Sequence, residues 1–120
     1  MKKLSPKEEA VLKIVWELKK AYAKEIREML PEPKPHINTV STILKRLFEK
    51  GFLKYEEFGG TYRYYATVSK KTYTSKFVKP FLYSFFGNSM KNVVAFFAEE
   101  EEVSLQELKE IIKMIESKGK

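Results

Sequence analysis

One short stretch gathers side chains that can bind through hydrogen bonds and charge: Asn38, Thr39, Ser41, Thr42, Lys45 and Arg46. Small hydroxyl and amide groups donate to and accept from polar edges, threonine methyls can touch thymine methyls, and adjacent cations can reach guanine or phosphate. If the stretch is helical, Ile37, Val40, Leu44, Leu47 and Phe48 form a buried face. Asn38, Ser41, Thr42, Lys45 and Glu49 then fall on the opposite face, with Thr39 and Arg46 along one flank. Such a face suits a DNA major groove. It equally suits an ordinary amphipathic surface helix, so its neighbours must decide.

Catalytic chemistry has less to work with. All 16 acidic residues are glutamates, His36 is the one histidine, and there is no cysteine. A Ser-His-Asp or Cys-His constellation cannot be assembled as such, nor can a disulfide or thiolate metal site. His36 is expected to cap or flank a helix, and Trp16 to pack. The acidic run Glu99–Glu102 is expected to be the solvated start of a last helix, where negative charge suits the dipole. No enzyme activity, metal, cofactor or small-molecule ligand is expected. The opening Met-Lys-Lys-Leu-Ser-Pro does not read as a signal peptide, and no apolar run reaches the roughly 18 residues of a membrane helix. A cytoplasmic location without a membrane partner is therefore expected.

The elements around the polar stretch follow from local signals. Ser5-Pro6-Lys7-Glu8 reads as a capping box with proline at the first helical position, and Val11, Ile14, Val15 and Leu18 continue an apolar stripe. This predicts a first helix over about 6–19. A second, from Tyr22 to Leu30, directs Ile26, Met29 and Leu30 inward and ends in a turn at Pro31, Pro33 and Pro35. The third covers about 37–50 and is closed by Gly51. Phe52–Glu57 and Thr61–Ala66, joined by Phe58-Gly59-Gly60, form a hairpin signal. Helices followed by a hairpin in this order spell a winged helix-turn-helix. Lys54 and Arg63 on the wing could meet phosphate, with Glu56 and Glu57 opposing them. Tyr55, Tyr62, Tyr64 and Tyr65 are expected to pack.

The remainder is more apolar. Helical segments are expected at 72–86, 89–98 and 103–117, and six of the nine phenylalanines lie between 77 and 97. Three short helices of this kind cannot bury themselves alone, and a second copy is the economical partner. Phe77, Phe81, Phe85, Phe86, Val93, Val94, Phe97, Leu108, Ile111, Ile112 and Ile115 are the expected dimerisation residues. The fold class expected is mainly α with a small β-hairpin. It comprises a winged helix-turn-helix DNA-binding domain over 1–70 and a C-terminal three-helix dimerisation region over 71–120. The net charge is +7, and residues 1–66 hold 14 basic and 9 acidic side chains against 9 and 7 thereafter, so the basic excess favours the half with the polar face.

In order and spacing, the chain resembles the penicillinase-repressor (BlaI/MecI) family. LSPKEEAVLKIVWEL is similar to its first helix and AKEIREML to its second. NTVSTILKRLFEKGFLK resembles its recognition helix running into the wing, and GNSMKNVVAFFAEEEEVSLQELKEI its dimerisation tail. The resemblance implies a homodimeric transcriptional repressor acting on palindromic, inverted-repeat operators in double-stranded DNA, with Thr39, Thr42 and Arg46 as foremost contacts. There are departures. Several relatives carry arginine where Ser41 stands. Copper-responsive relatives carry cysteines near the C-terminus, absent here, so thiolate copper sensing is not expected. Antibiotic-responsive relatives are cleaved at an Asn-Phe bond, where this chain has Phe96-Phe97, so that route is not expected. The alternatives are a winged helix serving as a protein-interaction module, or a non-specific architectural DNA binder.

Overall fold

The structure is a computed structural model, and it describes residues 3–119. Helix α1 (Pro6–Leu18) starts at the expected capping box: the Ser5 N–H donates to the Glu8 carboxylate at 2.8 Å, and the Glu8 N–H donates to Ser5 Oγ. Strand β1 (Lys20–Tyr22) and helices α2 (Ala23–Met29) and α3 (Ile37–Glu49) follow. Strands β2 (Leu53–Phe58) and β3 (Thr61–Ala66) form the hairpin. Phe58 pairs with Thr61, so Gly59 and Gly60 alone make the turn. Their φ values of 54° and 81° are the pair of positive angles that a tight hairpin turn of this hand requires, which glycine adopts without steric cost.

Strand β1 is an addition to the expected fold. It pairs antiparallel with β3, giving a three-stranded sheet in the order β1-β3-β2. A three-residue Lys-Ala-Tyr strand is too short to show alternation, and its partner lies some forty residues on. The core joins α1, α2, α3 and the sheet through Val11, Leu12, Val15, Ile26, Val40, Leu44, Leu47, Phe52 and Leu53, all essentially inaccessible. Two expected inward residues differ. Met29 and Phe48 are 41% and 42% exposed. Met29 is the last residue of a seven-residue helix, and Phe48 turns to the hairpin, its ring 5.1 Å from that of Tyr55.

Two compact units emerge, Met1–Phe77 and Val78–Lys120, where the sequence placed the division at 70/71. The shift has a physical cause. Helix α4 (Lys70–Tyr73) buries Tyr73, whose ring lies 5.6 Å from Trp16 and 5.9 Å from Phe52; Phe77 packs 4.9 Å from Tyr73 and 6.1 Å from Phe52. Trp16 also donates from Nε1 to the Val68 carbonyl at 2.8 Å. Phe77, expected at a dimer face, is partly buried against the core of the first unit.

The expected helix over 72–86 is interrupted. A π-helical turn spans Thr74–Val78 before α5 (Lys79–Ser84), at whose start Pro80 lacks the N–H that would continue the ladder. Helices α6 (Met90–Glu99) and α7 (Leu105–Lys118) complete the second unit. The acidic run needs correcting: Glu99 ends α6, Glu100 caps its C-terminus and Glu101 has φ of 60°, so these charges sit at the unfavourable end of a helix. The start of α7 is set instead by a second capping box, Ser104 with Glu107. Among the described residues of this unit Val93 is the buried hydrophobic one, at 5% exposed, while Phe85, Leu105, Ile112, Met114 and Ile115 are all more than half exposed.

Candidate nucleic-acid interface

Helix α3 owes its position to both of its ends. At the N-terminus, His36 Nδ1 accepts the Asn38 N–H at 3.0 Å, so the lone histidine is a cap, as expected. At the C-terminus, the Phe52 N–H donates to the Leu47 carbonyl and the Gly51 N–H to the Phe48 carbonyl. With Gly51 at φ 89° this is a Schellman closure, and its two hydrophobic partners, Leu47 and Phe52, are both fully buried. The closure feeds the chain directly into β2. The helix and hairpin are thereby held as one rigid piece.

A partly buried ion pair adds to this. Lys50, the C-cap of α3, donates from Nζ to the Glu8 carboxylate at 2.8 Å, tying α3 to the start of α1. Burial by itself would raise the Glu8 carboxyl. The hydrogen bonds from Lys50 and Ser5 outweigh it and hold the group below its ordinary range.

Val40, Ile43, Leu44 and Leu47 fill the inner face of α3. Asn38, Thr39, Ser41, Thr42, Lys45 and Arg46 are all exposed on the outer side. Among the described residues, neither Lys45 nor Arg46 is in an ion pair. The Thr42 hydroxyl donates back to the Asn38 carbonyl at 2.9 Å, which leaves its oxygen free to accept. Thr39, Thr42 and Arg46 line a recess of about 240 Å³ on the α1 side, together with Ser5, Lys7 and Glu8. Ser41 and Lys45 line a groove of about 430 Å³ on the hairpin side. The polar face can therefore make hydrogen bonds along its middle and present a cation on each flank.

The wing residues sit differently. Lys54 is exposed on β2. Arg63 is on the central strand, opposite Glu56, with its guanidinium 5.9 Å from the Tyr22 ring on β1. It is half-buried, and its Nε has no hydrogen-bond partner among the described residues. Glu56 is engaged by Lys20 at 2.8 Å, and that hydrogen bond is the first cause holding its carboxyl below the ordinary range. Alternation along the strands puts Lys54, Glu56 and Arg63 on one sheet face and Tyr55, Tyr62 and Tyr64 on the other, toward α3. Of these tyrosines Tyr64 packs, as expected, but Tyr55 and Tyr62 remain 38% and 42% exposed.

Comparison with known proteins gives this arrangement a context. The family model described as penicillinase repressor matches residues 4–117. The chain belongs to the penicillinase-repressor family. It is 28% identical to the methicillin resistance regulatory protein MecI of Staphylococcus aureus over 116 residues, 96% of this chain and 94% of that protein. It is 29% identical to the penicillinase repressor of Staphylococcus aureus over 102 residues, 84% of this chain and 81% of that one. With the penicillinase repressor of Bacillus licheniformis the identity is 27% over 114 residues, covering 94% and 89% respectively. The match runs through both units, so the apolar tail belongs to the family pattern as much as the winged helix does.

In the second unit, some expected dimerisation residues meet within the chain. Phe81 and Phe85 lie 5.2 Å apart, and Phe86 is 5.5 Å from Phe96. Val93 is buried there, and Phe86, Phe97 and Leu108 are partly covered. Phe81, Phe85, Val94, Ile111, Ile112 and Ile115 keep exposed apolar surface. Among the described residues no helix is long and apolar enough to cross a membrane.

Proposed function

We propose that the protein is a cytoplasmic homodimeric repressor that binds inverted-repeat operators in double-stranded DNA. The coarse part rests on family membership: a transcriptional repressor of the penicillinase-repressor type. The observation that carries the finer reading is the outer face of α3. Six polar or basic residues, Asn38, Thr39, Ser41, Thr42, Lys45 and Arg46, stand exposed on a helix capped at both ends and fused to a hairpin. A rigid helix with this face can enter a major groove and read base edges.

Thr39, Thr42 and Arg46 form one reading flank, and Ser41 and Lys45 the other. Lys54 and Arg63 are the weaker contacts, because Glu56 lies beside both. The exposed apolar residues of α5, α6 and α7 support self-association, which pairs two readers about a two-fold axis. Half-sites should then lie about 10 base pairs, or a multiple, apart.

Selecting bound genomic fragments, then footprinting one, tests the reading. Two protected patches related by a dyad on one face of the duplex are expected. A single asymmetric patch, or equal affinity for all sequences, would replace it with a non-specific architectural binder. No binding to any fragment would favour a protein-interaction module.

A further inference from the structure

Two aromatic rings on the hairpin pack on one side only and leave the other open. Tyr55 and Tyr62 stack at 4.3 Å, and Phe48 supports them from α3 at 5.1 Å, yet both tyrosines stay more than a third exposed. Neither hydroxyl has a hydrogen-bond partner among the described residues. They line the 430 Å³ groove with Ser41, Lys45, Phe48 and Tyr64. That groove shares Ser41, Tyr62 and Tyr64 with a larger cleft of about 710 Å³ that reaches Lys24 on α2 and Thr61 at the hairpin tip. The two share one wall between α3 and the hairpin, with Lys45 toward one end and Lys24 beside Glu25 toward the other.

We propose that this groove seats one sugar–phosphate strand of the bound duplex, with the Tyr55 and Tyr62 hydroxyls donating to its phosphates. The proposal rests on the operator-binding reading above. If α3 lies in a major groove and the hairpin lies over the adjacent minor groove, the strand dividing the two grooves passes between them. Its charge is complementary to Lys45, which is in no ion pair among the described residues, and the groove is continuous with the reading face through Ser41 and Lys45. The hairpin's cations, Lys54 and Arg63, lie on the opposite sheet face. Glu57 pairs with Tyr62 in the register, on the same face, and Glu56 flanks Arg63. Neutral phenol donors on stacked, pre-ordered rings supply phosphate contacts that the hairpin's charges do not. Such contacts fix position and carry no sequence information.

The test uses the full chain, a duplex selected by the wild-type protein and an unrelated duplex of equal length. Tyr55→Phe with Tyr62→Phe removes two hydroxyls and keeps both rings, and an unchanged melting temperature checks the fold. Binding should weaken about 3- to 10-fold per hydroxyl on both duplexes alike, because each lost bond is of ordinary strength and reads no base. The slope of affinity against salt should stay constant, because a neutral donor releases no counterion. In ethylation interference, the phosphates between the protected major groove and its neighbouring minor groove should block the wild type and not the variant. Tyr62→Ala, which also removes ring contact with the sugar, should weaken binding further. Wild-type affinity and an unchanged interference pattern in the double variant would overturn the proposal while leaving the operator reading intact. A wild-type chain that protects no DNA would instead remove that reading and the groove's role together.

Discussion

At the scale of single residues, reading and folding are carried by different side chains of α3, so they can be separated by mutation. Arg46 is exposed, unpaired among the described residues, and borders only the shallow recess beside α1. Arg46→Ala should leave the melting temperature near that of the wild type, since no cavity is created. It should weaken operator binding by about 1–3 kcal/mol if it contacts a base, or lower the salt slope by about one if it contacts phosphate. Unchanged affinity at moderate salt would take Arg46 out of the site. Glu8 is the converse case, a folding residue beside the reading face. Its carboxyl is held below the ordinary value of 4.5. A group depressed in the folded state contributes stability that is fully present above the unfolded value and is lost as pH falls through the folded one. Melting temperature should therefore drop on acidification below about pH 4.5. Glu8→Gln should lower stability near neutrality by about 1.5–3 kcal/mol, the usual worth of hydrogen bonds to a charged group, and flatten that acid slope. A variant as acid-sensitive as the wild type would place the titration elsewhere. The polar face and the His36 cap were legible from residue type and spacing, because both depend on neighbours within one helical turn. The setting of Arg63 was not, because Tyr22 meets it only through the pairing of β1 with β3.

At the scale of elements, local signals determined what local physics controls. Both glycine-dependent features of the winged helix were visible in advance, the hairpin at Gly59-Gly60 and the closure of α3 at Gly51, although Phe58 was expected in the connection and instead ends β2, paired with Thr61. The second can be weighed by mutation. A Cβ placed on Gly51 would meet nothing within 4 Å, so the cost of Gly51→Ala is conformational alone. At φ 89° that cost should be about 1–2 kcal/mol. The loss should appear in chemical denaturation as a lower midpoint with an unchanged slope. A fully stable Gly51→Ala variant would mean that the Schellman closure is not what holds α3 to β2. Elements governed by distant partners were less legible. Strand β1 is defined by a sheet partner rather than by its own three residues. The π-helical turn at Thr74–Val78 arises where the packing of Tyr73 and Phe77 on Phe52 gives way to Pro80. Glu99–Glu102 was read toward the wrong helix because electrostatic preference favours a helix start. Ser104 and Glu107 supply a stronger start signal a few residues later.

At the scale of the whole molecule, the winged helix accounts for its own apolar residues and the tail does not. Nearly all of the buried core belongs to the first unit, whereas Phe85 is 69% exposed, Ile112 53% and Ile115 65%. That contrast made the two-part organisation readable from the distribution of phenylalanines, although the boundary shifted once Phe77 joined the first core. It also selects the residues that test self-association. Val93 is unsuitable, because it is buried within its own chain and a charge there would unfold the unit. Phe85→Glu with Ile115→Glu alters surface that the single chain leaves uncovered, so the protomer should keep its secondary structure. A tail interface of ordinary obligate size buries more than ~2,000 Å² in total, and two charges facing their own copies across a two-fold axis should dissociate it. Light scattering at micromolar concentration is expected to give a dimer mass for the wild type and a monomer mass for the variant. The DNA consequence is separate. A monomer retains α3 and its cations but contacts one half-site, so the salt slope should fall to about half while the wild-type slope reflects both halves. A monomeric wild type, or a variant that binds the full operator with undiminished affinity and slope, would show that the tail does not pair the readers.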